Sequence, residues 1–163
     1  MPVPRLSQPA AARPPSLLRC EPPQALLVAL VAMAVLHLLA PIERVVPRDA
    51  FWAGAALAVL GVALSQSAMR AMLRAGTCTE FAGRPSVLVT GGCFRLSRNP
   101  MYLGMLLLLA GEATMLGSLG ALLPLAAFLL AMQVWYVPSE ERRLRAQFGA
   151  DWDAYRRRVR RWA

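Results

Sequence analysis

The stretch MYLGMLLLLAGEATMLGSLGALLPLAAFLLAMQVWYV, from Met101 to Val137, decides how this chain folds. It is apolar over 37 residues and is broken only by Glu112 and Gln133. As one helix it would be about 55 Å long at ~1.5 Å per residue, far more than the ~30 Å hydrocarbon core of a bilayer. Leu116-Gly117-Ser118-Leu119-Gly120 supplies a turn at the midpoint. The run therefore reads as two helices in a tight hairpin, over residues 100–116 and 120–137, each at the short end of the spanning range.

Upstream, Gln24–Ala40 is an uncharged run interrupted only by His37, and Ala50–Met69 is a second one with Phe51 and Trp52 at its start, where amphipathic rings favour the membrane boundary. Between them Pro41–Asp49 is a short polar turn with Pro41 and Pro47 as helix breakers. Residues 1–23 are rich in Pro and lack a helical period, which reads as a flexible cytosolic leader. Arg70–Arg98 carries five Arg and four Gly and reads as a cytosolic connector along the membrane surface, with a short strand-like piece at Val87–Thr90. The expected architecture is all-α: four transmembrane helices (24–40, 50–69, 100–116, 120–137) in two hairpins, followed by an amphipathic cytosolic helix over 139–162. Residues 24–163 then form a single membrane domain.

Composition agrees. The chain is 57% hydrophobic and 17% charged, with a net charge of +9. All 18 basic residues are Arg. So much apolar surface excludes disorder for most of the chain, and at 163 residues two globular domains are not expected. A soluble nucleic-acid binder is disfavoured because Arg flanks long uncharged runs and no aromatic stacking platform is interleaved. Cytoplasmic segments should hold the excess Arg. With both termini inside, the leader, connector and tail hold 16 of the 18, while Arg44 and Arg48 outside are offset by Glu43 and Asp49. Cys20, Cys78 and Cys93 form no C-x-x-C pair and encode neither a disulfide framework nor a metal site. Arg19, directly before Cys20, argues against a lipoprotein cleavage site.

The hairpin returns two polar clusters to one membrane face. Arg98-Asn99-Pro100-Met101-Tyr102 opens the third helix, with Asn99 as N-cap and Pro100 in the first turn. Free amides beside Arg98 suit a carboxylate or phosphate, Tyr102 adds an aromatic face, and Gly104 permits close approach of a ligand or helix. An ordinary cap with a snorkelling Arg explains the same residues. Glu140 and Glu141 open the tail helix behind Ser139, where acids also simply stabilise a helix start. The alternative is that one of them accepts hydrogen bonds from ribose hydroxyls or an ammonium group. In the tail, Leu144, Phe148, Trp152, Tyr155, Val159 and Trp162 form one apolar stripe with Arg on the other faces. That pattern fits an interfacial helix on anionic headgroups, a lid over the site, or both. Glu112 is an intramembrane carboxylate close enough to the turn for partial hydration. His37 has no partner cluster and reads as a structural or interfacial histidine rather than a metal ligand.

Two strings taken together resemble a known family: Gly91-Gly92-Cys93-Phe94-Arg95-x-x-Arg98-Asn99-Pro100-Met101-Tyr102-Leu103-Gly104, and Glu140-Glu141-x-x-Leu144-x-x-x-Phe148-Gly149-x-x-Trp152-x-x-Tyr155-Arg156. They resemble the integral-membrane isoprenylcysteine carboxyl methyltransferases and the related phospholipid N-methyltransferases. The resemblance implies an S-adenosylmethionine-dependent methyltransferase whose cofactor site lies between the helix start and the Glu pair, under the C-terminal helix. Cofactor contacts then fall to Arg98, Asn99, Pro100, Tyr102, Gly104, Glu140 and Glu141. Many members have His where this chain has Asn99, which replaces a ring contact by an amide. No G-x-G-x-x-G fingerprint is present, which excludes a soluble Rossmann-type methyltransferase.

The donor's carboxylate would suit Arg98, and its diol or ammonium would suit Glu140 or Glu141. A carboxylate or thiolate acceptor needs no general base, whereas an amine must shed a proton, and Glu141 is then the first candidate. The acceptor is expected to be lipophilic or prenylated and to enter from the lipid. No obligate protein partner is implied. Three other readings compete. A sterol-type membrane reductase shares a similar helix start, but Met105 follows Gly104 where Glu is usual. A small four-helix transporter would favour a carboxylate in the first helix, where only His37 is polar. A scaffold subunit is the third.

Overall fold

The structure, a computed structural model, describes residues 21–39, 43–77 and 85–163. Most of the expected leader, Cys20 and the middle of the connector lie outside the described residues. Helix α1 (Pro22–Leu39) and helix α2 (Phe51–Arg74) come first, the latter entered through a 3₁₀ turn at Arg48–Ala50. A second 3₁₀ turn, Gly92–Arg95, precedes helix α3 (Pro100–Leu116), which is followed by helix α4 (Leu119–Ala131). A π-helical turn, Met132–Tyr136, carries α4 without interruption into helix α5 (Val137–Phe148). The chain ends in helix α6 (Ala150–Arg158) and a short extended segment.

Three helices are long and apolar enough to cross a membrane, Pro22–Leu39, Arg48–Arg74 and the continuous Leu119–Phe148, while Pro100–Leu116 is a shorter apolar helix. The short one is the centre. Tyr102, Met105, Leu109 and Ala113 of α3 pack with Ala29 and Met33 of α1 and with Ala121 and Phe128 of α4. By contrast, Leu27, Val31, Leu38, Trp52, Val59, Leu123 and Leu130 are exposed, which is the outward apolar surface expected of helices bathed in lipid.

Packing of α2 on α3 depends on glycine. A Cβ added to Gly61 would lie 2.5 Å from the Gly104 carbonyl oxygen, and one on Gly104 would meet the Gly61 carbonyl at the same distance. Seven residues before Gly61 and seven after Gly104, Gly54 and Gly111 face each other in the same way. Without a strong hydrophobic drive between helices in lipid, such backbone contact is the main source of cohesion. The Ser65 hydroxyl adds a bond to the Met101 carbonyl at 3.2 Å.

The turn between α3 and α4 falls where the sequence places it. Gly117 has φ 70°, a left-handed conformation that an L side chain resists, and its amide caps α3 on the Ala113 carbonyl at 2.9 Å. The α1–α2 connection docks on this turn: Val45 N–H bonds the Gly117 carbonyl at 2.9 Å, and Leu119 N–H bonds the Glu43 carbonyl at 3.3 Å. His37 Nδ1 lies 3.0 Å from Ser118 Oγ, the structural role expected of it. One end of the bundle therefore gathers the α1–α2 loop and the hairpin turn. The other gathers the end of α2, the start of α3 and α5.

Four local expectations change. Helix α2 continues past Met69 to Arg74, because Arg70 and Arg74 are good helix formers whose heads stay exposed. Val87–Thr90 is irregular chain, since no neighbouring strand is present among the described residues to pair with it. Ser139 caps no new helix. Pro138 lacks an amide, and the π turn just before it absorbs that lost bond, so the helix runs through. The tail is two helices, because Gly149 at φ 52° and ψ −118° breaks it between Phe148 and Ala150.

Candidate active site

The start of α3 is held by the C-terminal tail. The Arg98 amide donates to the Arg160 carbonyl at 3.0 Å, and the Ser97 hydroxyl donates to the Arg161 carbonyl at 2.9 Å. Asn99 occupies the N-cap position but makes no side-chain cap bond. Its amide nitrogen donates instead to the Arg161 carbonyl at 3.2 Å, while its backbone N–H is taken by Ser97 Oγ at 3.0 Å. The sequence expectation of an Asn cap is thus replaced by a strap.

Arg98 sits at the hub. Its Nη1 donates to the carbonyls of Arg156 and Val159, both at 3.0 Å, at the C-terminal end of α6, where unpaired carbonyls favour a cation. Its Nη2 donates to Glu141 Oε1 at 2.8 Å, and the guanidinium lies 5.8 Å from the Trp152 ring centroid. Arg161 donates to the same carboxylate through Nη2 at 2.7 Å and Nε at 3.3 Å. Burial on its own would raise the Glu141 pKa, but the bonds from Arg161 and Arg98 outweigh it and hold the carboxyl below its ordinary range. One polar atom in this hub is left over: Arg98 Nε is buried and has no hydrogen-bond partner among the described residues.

Glu140 faces the other way. Its Oε2 accepts from the Tyr102 hydroxyl at 2.7 Å, a bond that ties α5 to α3. Burial pushes the Glu140 carboxyl up, against the lowering effect of the Tyr102 bond and of Arg143. Trp152 and Tyr155 of α6 are both 2% exposed, and Tyr155 donates to the Phe94 carbonyl at 2.7 Å, which closes the tail over the region between α3 and α5. Burial pushes the Tyr155 phenol up to about 12, so it stays protonated as a donor at neutral pH.

These elements border a cleft that is partly open to solvent. Part of its wall is polar, with Arg98, Asn99, Tyr102, Glu140 and Arg143. Another part is apolar, with Met72, Val87, Leu88, Val89, Phe94 and Leu144. Of the residues singled out from sequence, Arg98, Asn99, Pro100, Tyr102 and Glu140 come together on its wall. Gly104 does not line it and packs on Gly61 and Ser65. Glu141 also points elsewhere, into a second hollow shared with Arg142, Arg145, Arg156 and Arg161.

The apolar wall was not legible in the sequence, because the connector has no period and acquires its shape from tertiary bonds. Thr77 Oγ1 accepts from the Ser86 amide at 2.9 Å, the Ser86 hydroxyl donates to the Gly76 carbonyl at 3.1 Å, and Gln147 of α5 bonds the Pro85 carbonyl. The only sequence signal was local, the run Val87-Leu88-Val89 between polar neighbours.

Neither the curated proteins nor the solved structures contain a match to this chain. A family profile does match, that of the phospholipid methyltransferases, over residues 49–151. The match runs from the start of α2 through the hairpin and α5 into the first residues of α6, so it covers most of the elements that build the cleft. With more than half of its length matched, the chain belongs to the phospholipid methyltransferase family.

Proposed function

We propose that this protein transfers a methyl group from S-adenosylmethionine to a lipophilic acceptor at the cytosolic face of a membrane that it crosses four times, with both termini inside. The observation that carries the reading is the juxtaposition of the α3 start and α5 in one tail-covered cleft, joined by the 2.7 Å bond from Tyr102 to Glu140. The polar wall matches the donor set of the cofactor. Arg98 Nε is a buried donor without a partner, and with Arg143 it suits a carboxylate. Glu140 suits an ammonium or a ribose diol, and the rings of Trp152, Tyr155 and Phe94 suit an adenine face. When bound, the cofactor supplies an electrophilic methyl on a sulfonium.

The chain's own part is alignment and exclusion of water. Tyr102 and the strap fix the polar wall, and α6 covers it. The apolar wall leaves room for a hydrophobic acceptor entering from lipid. Glu141, the sequence candidate for a general base, has both oxygens engaged by arginines, and a carboxylate held below its ordinary range is a poor proton acceptor. Should the acceptor be an amine, Glu140 is the carboxylate at the cleft with the raised affinity for a proton. Methyl transfer to a carboxylate or thiolate would need neither.

Titration calorimetry of the detergent-purified protein with S-adenosylmethionine tests the proposal. Saturable binding is expected. No heat of binding at millimolar cofactor would remove the methyltransferase reading and favour a transporter or scaffold. Incubating lipid extracts with radiolabelled donor then identifies the acceptor class.

A further inference from the structure

The second hollow shares Trp152 with the proposed cofactor cleft, and its chemistry differs. Pro138 and Trp152 form its apolar floor, and Arg142, Arg145, Arg156 and Arg161 surround it. Among the described residues two carboxylates reach this region, and both are committed. Glu141 is taken by Arg98 and Arg161, and Asp153 pairs with Arg145 at 3.3 Å. Arg142 and Arg156 are exposed, and among the described residues their side chains make no ion pair or hydrogen bond. The four arginines around the hollow thus outnumber the two carboxylates, and an anion placed among them offsets the excess positive charge while accepting several charge-assisted bonds.

The position of the hollow favours one source for that anion. Pro138 lies two residues beyond Tyr136, where Trp135 and Tyr136 mark the aromatic boundary expected at the end of a span. The Trp162 indole returns to the same level and donates to Gln133 Oε1 at 3.0 Å. The hollow thus opens just past the hydrocarbon edge, at headgroup height.

We infer that Arg142, Arg145, Arg156 and Arg161 form a phosphate-binding site for the headgroup of an anionic membrane phospholipid, separate from the methyl-transfer cleft. The inference rests on the bilayer placement proposed above but not on the methyl-transfer chemistry. Because Arg161 belongs to both the hollow and the Glu141 ion triad, a bound headgroup adds a bond to the strap that closes the tail.

Binding is measured by titrating dioctanoyl phosphatidylglycerol into protein held in an uncharged detergent. Saturable binding is expected, with an affinity about tenfold or more weaker in R142Q/R156Q. The pair R157Q/R158Q removes the same charge outside the hollow and is expected to leave the affinity unchanged. Phenylglyoxal modification of the unaltered protein provides a readout that needs no variant: the lipid should protect Arg142 and Arg156 and leave Arg157 and Arg158 reactive. Equal weakening by the two variant pairs, or equal protection of all four arginines, would overturn a built site in favour of diffuse surface charge. Inorganic phosphate binding as tightly as the lipid would overturn the membrane source. Cofactor titration on the same samples reads the methyl-transfer cleft separately, so that either site can fail alone.

Discussion

Glu140 and Glu141 are neighbours in sequence, yet on a helix consecutive side chains diverge by about 100°. That angle sends Glu140 to Tyr102 in the cleft and Glu141 to two arginines outside it. Two expectations follow. Glu140→Ala should weaken S-adenosylmethionine binding about tenfold through loss of a charged hydrogen-bond acceptor, and should also lower the thermal midpoint, because it removes the bond from the buried Tyr102 hydroxyl that ties α5 to α3. An unchanged affinity would remove Glu140 from the site. Glu141→Ala should act on stability first, because it strands Arg98, whose side chain is 8% exposed. A buried pair broken from one side costs about 3 kcal/mol, read as a lower unfolding midpoint. The pH dependence has a definite sign. The folded Glu141 carboxyl titrates below its ordinary range, so its contribution is complete above the unfolded value, ~4, and is lost as the pH falls through the lower folded value. Trp152 fluorescence should report release of the tail under acid, and Glu141→Gln should abolish that transition. Sequence could name both acids. It could not say which faced the cleft, since the phase of the helix is set by where α5 joins α4, and that depends on the π turn at Met132–Tyr136.

Among the elements, the α2–α3 pair is the most constrained. Gly61→Val or Gly104→Val pushes side-chain atoms into the facing backbone, which neither helix can yield without separating. Such overpacking costs about 1–3 kcal/mol and should lower the unfolding midpoint in detergent. A midpoint equal to that of the unaltered protein would mean that the helices do not meet through these glycines. Gly104 was legible as a residue that allows close approach, and what approaches is the Gly61 backbone. The tail period was legible as well, with Trp152 and Tyr155 on the buried face. The break at Gly149 was hidden because the apolar stripe continues across it.

For the whole molecule, hydrogen bonds gather the α1–α2 loop and the α3–α4 turn at one end, and the tail straps the α3 start at the other. The proposed topology puts the first end outside. In sealed vesicles or cells, a membrane-impermeant maleimide should label Glu43→Cys from outside, whereas Ala163→Cys should react only after permeabilisation. Each variant is made in a background with the native cysteines replaced. The reverse pattern would invert the orientation, and labelling of both from one side would break the even span count.

Length and apolar runs were enough to specify helices and a hairpin turn near Gly117, because these are properties of local segments and of their transfer into lipid, and two short motif strings were enough for a family resemblance. The partner of each polar group was decided only in three dimensions. Arg98 meets Glu141 and the α6 carbonyls, Asn99 holds Arg161 and Thr77 anchors the apolar wall, since each of these bonds joins segments whose approach depends on how the helices pack.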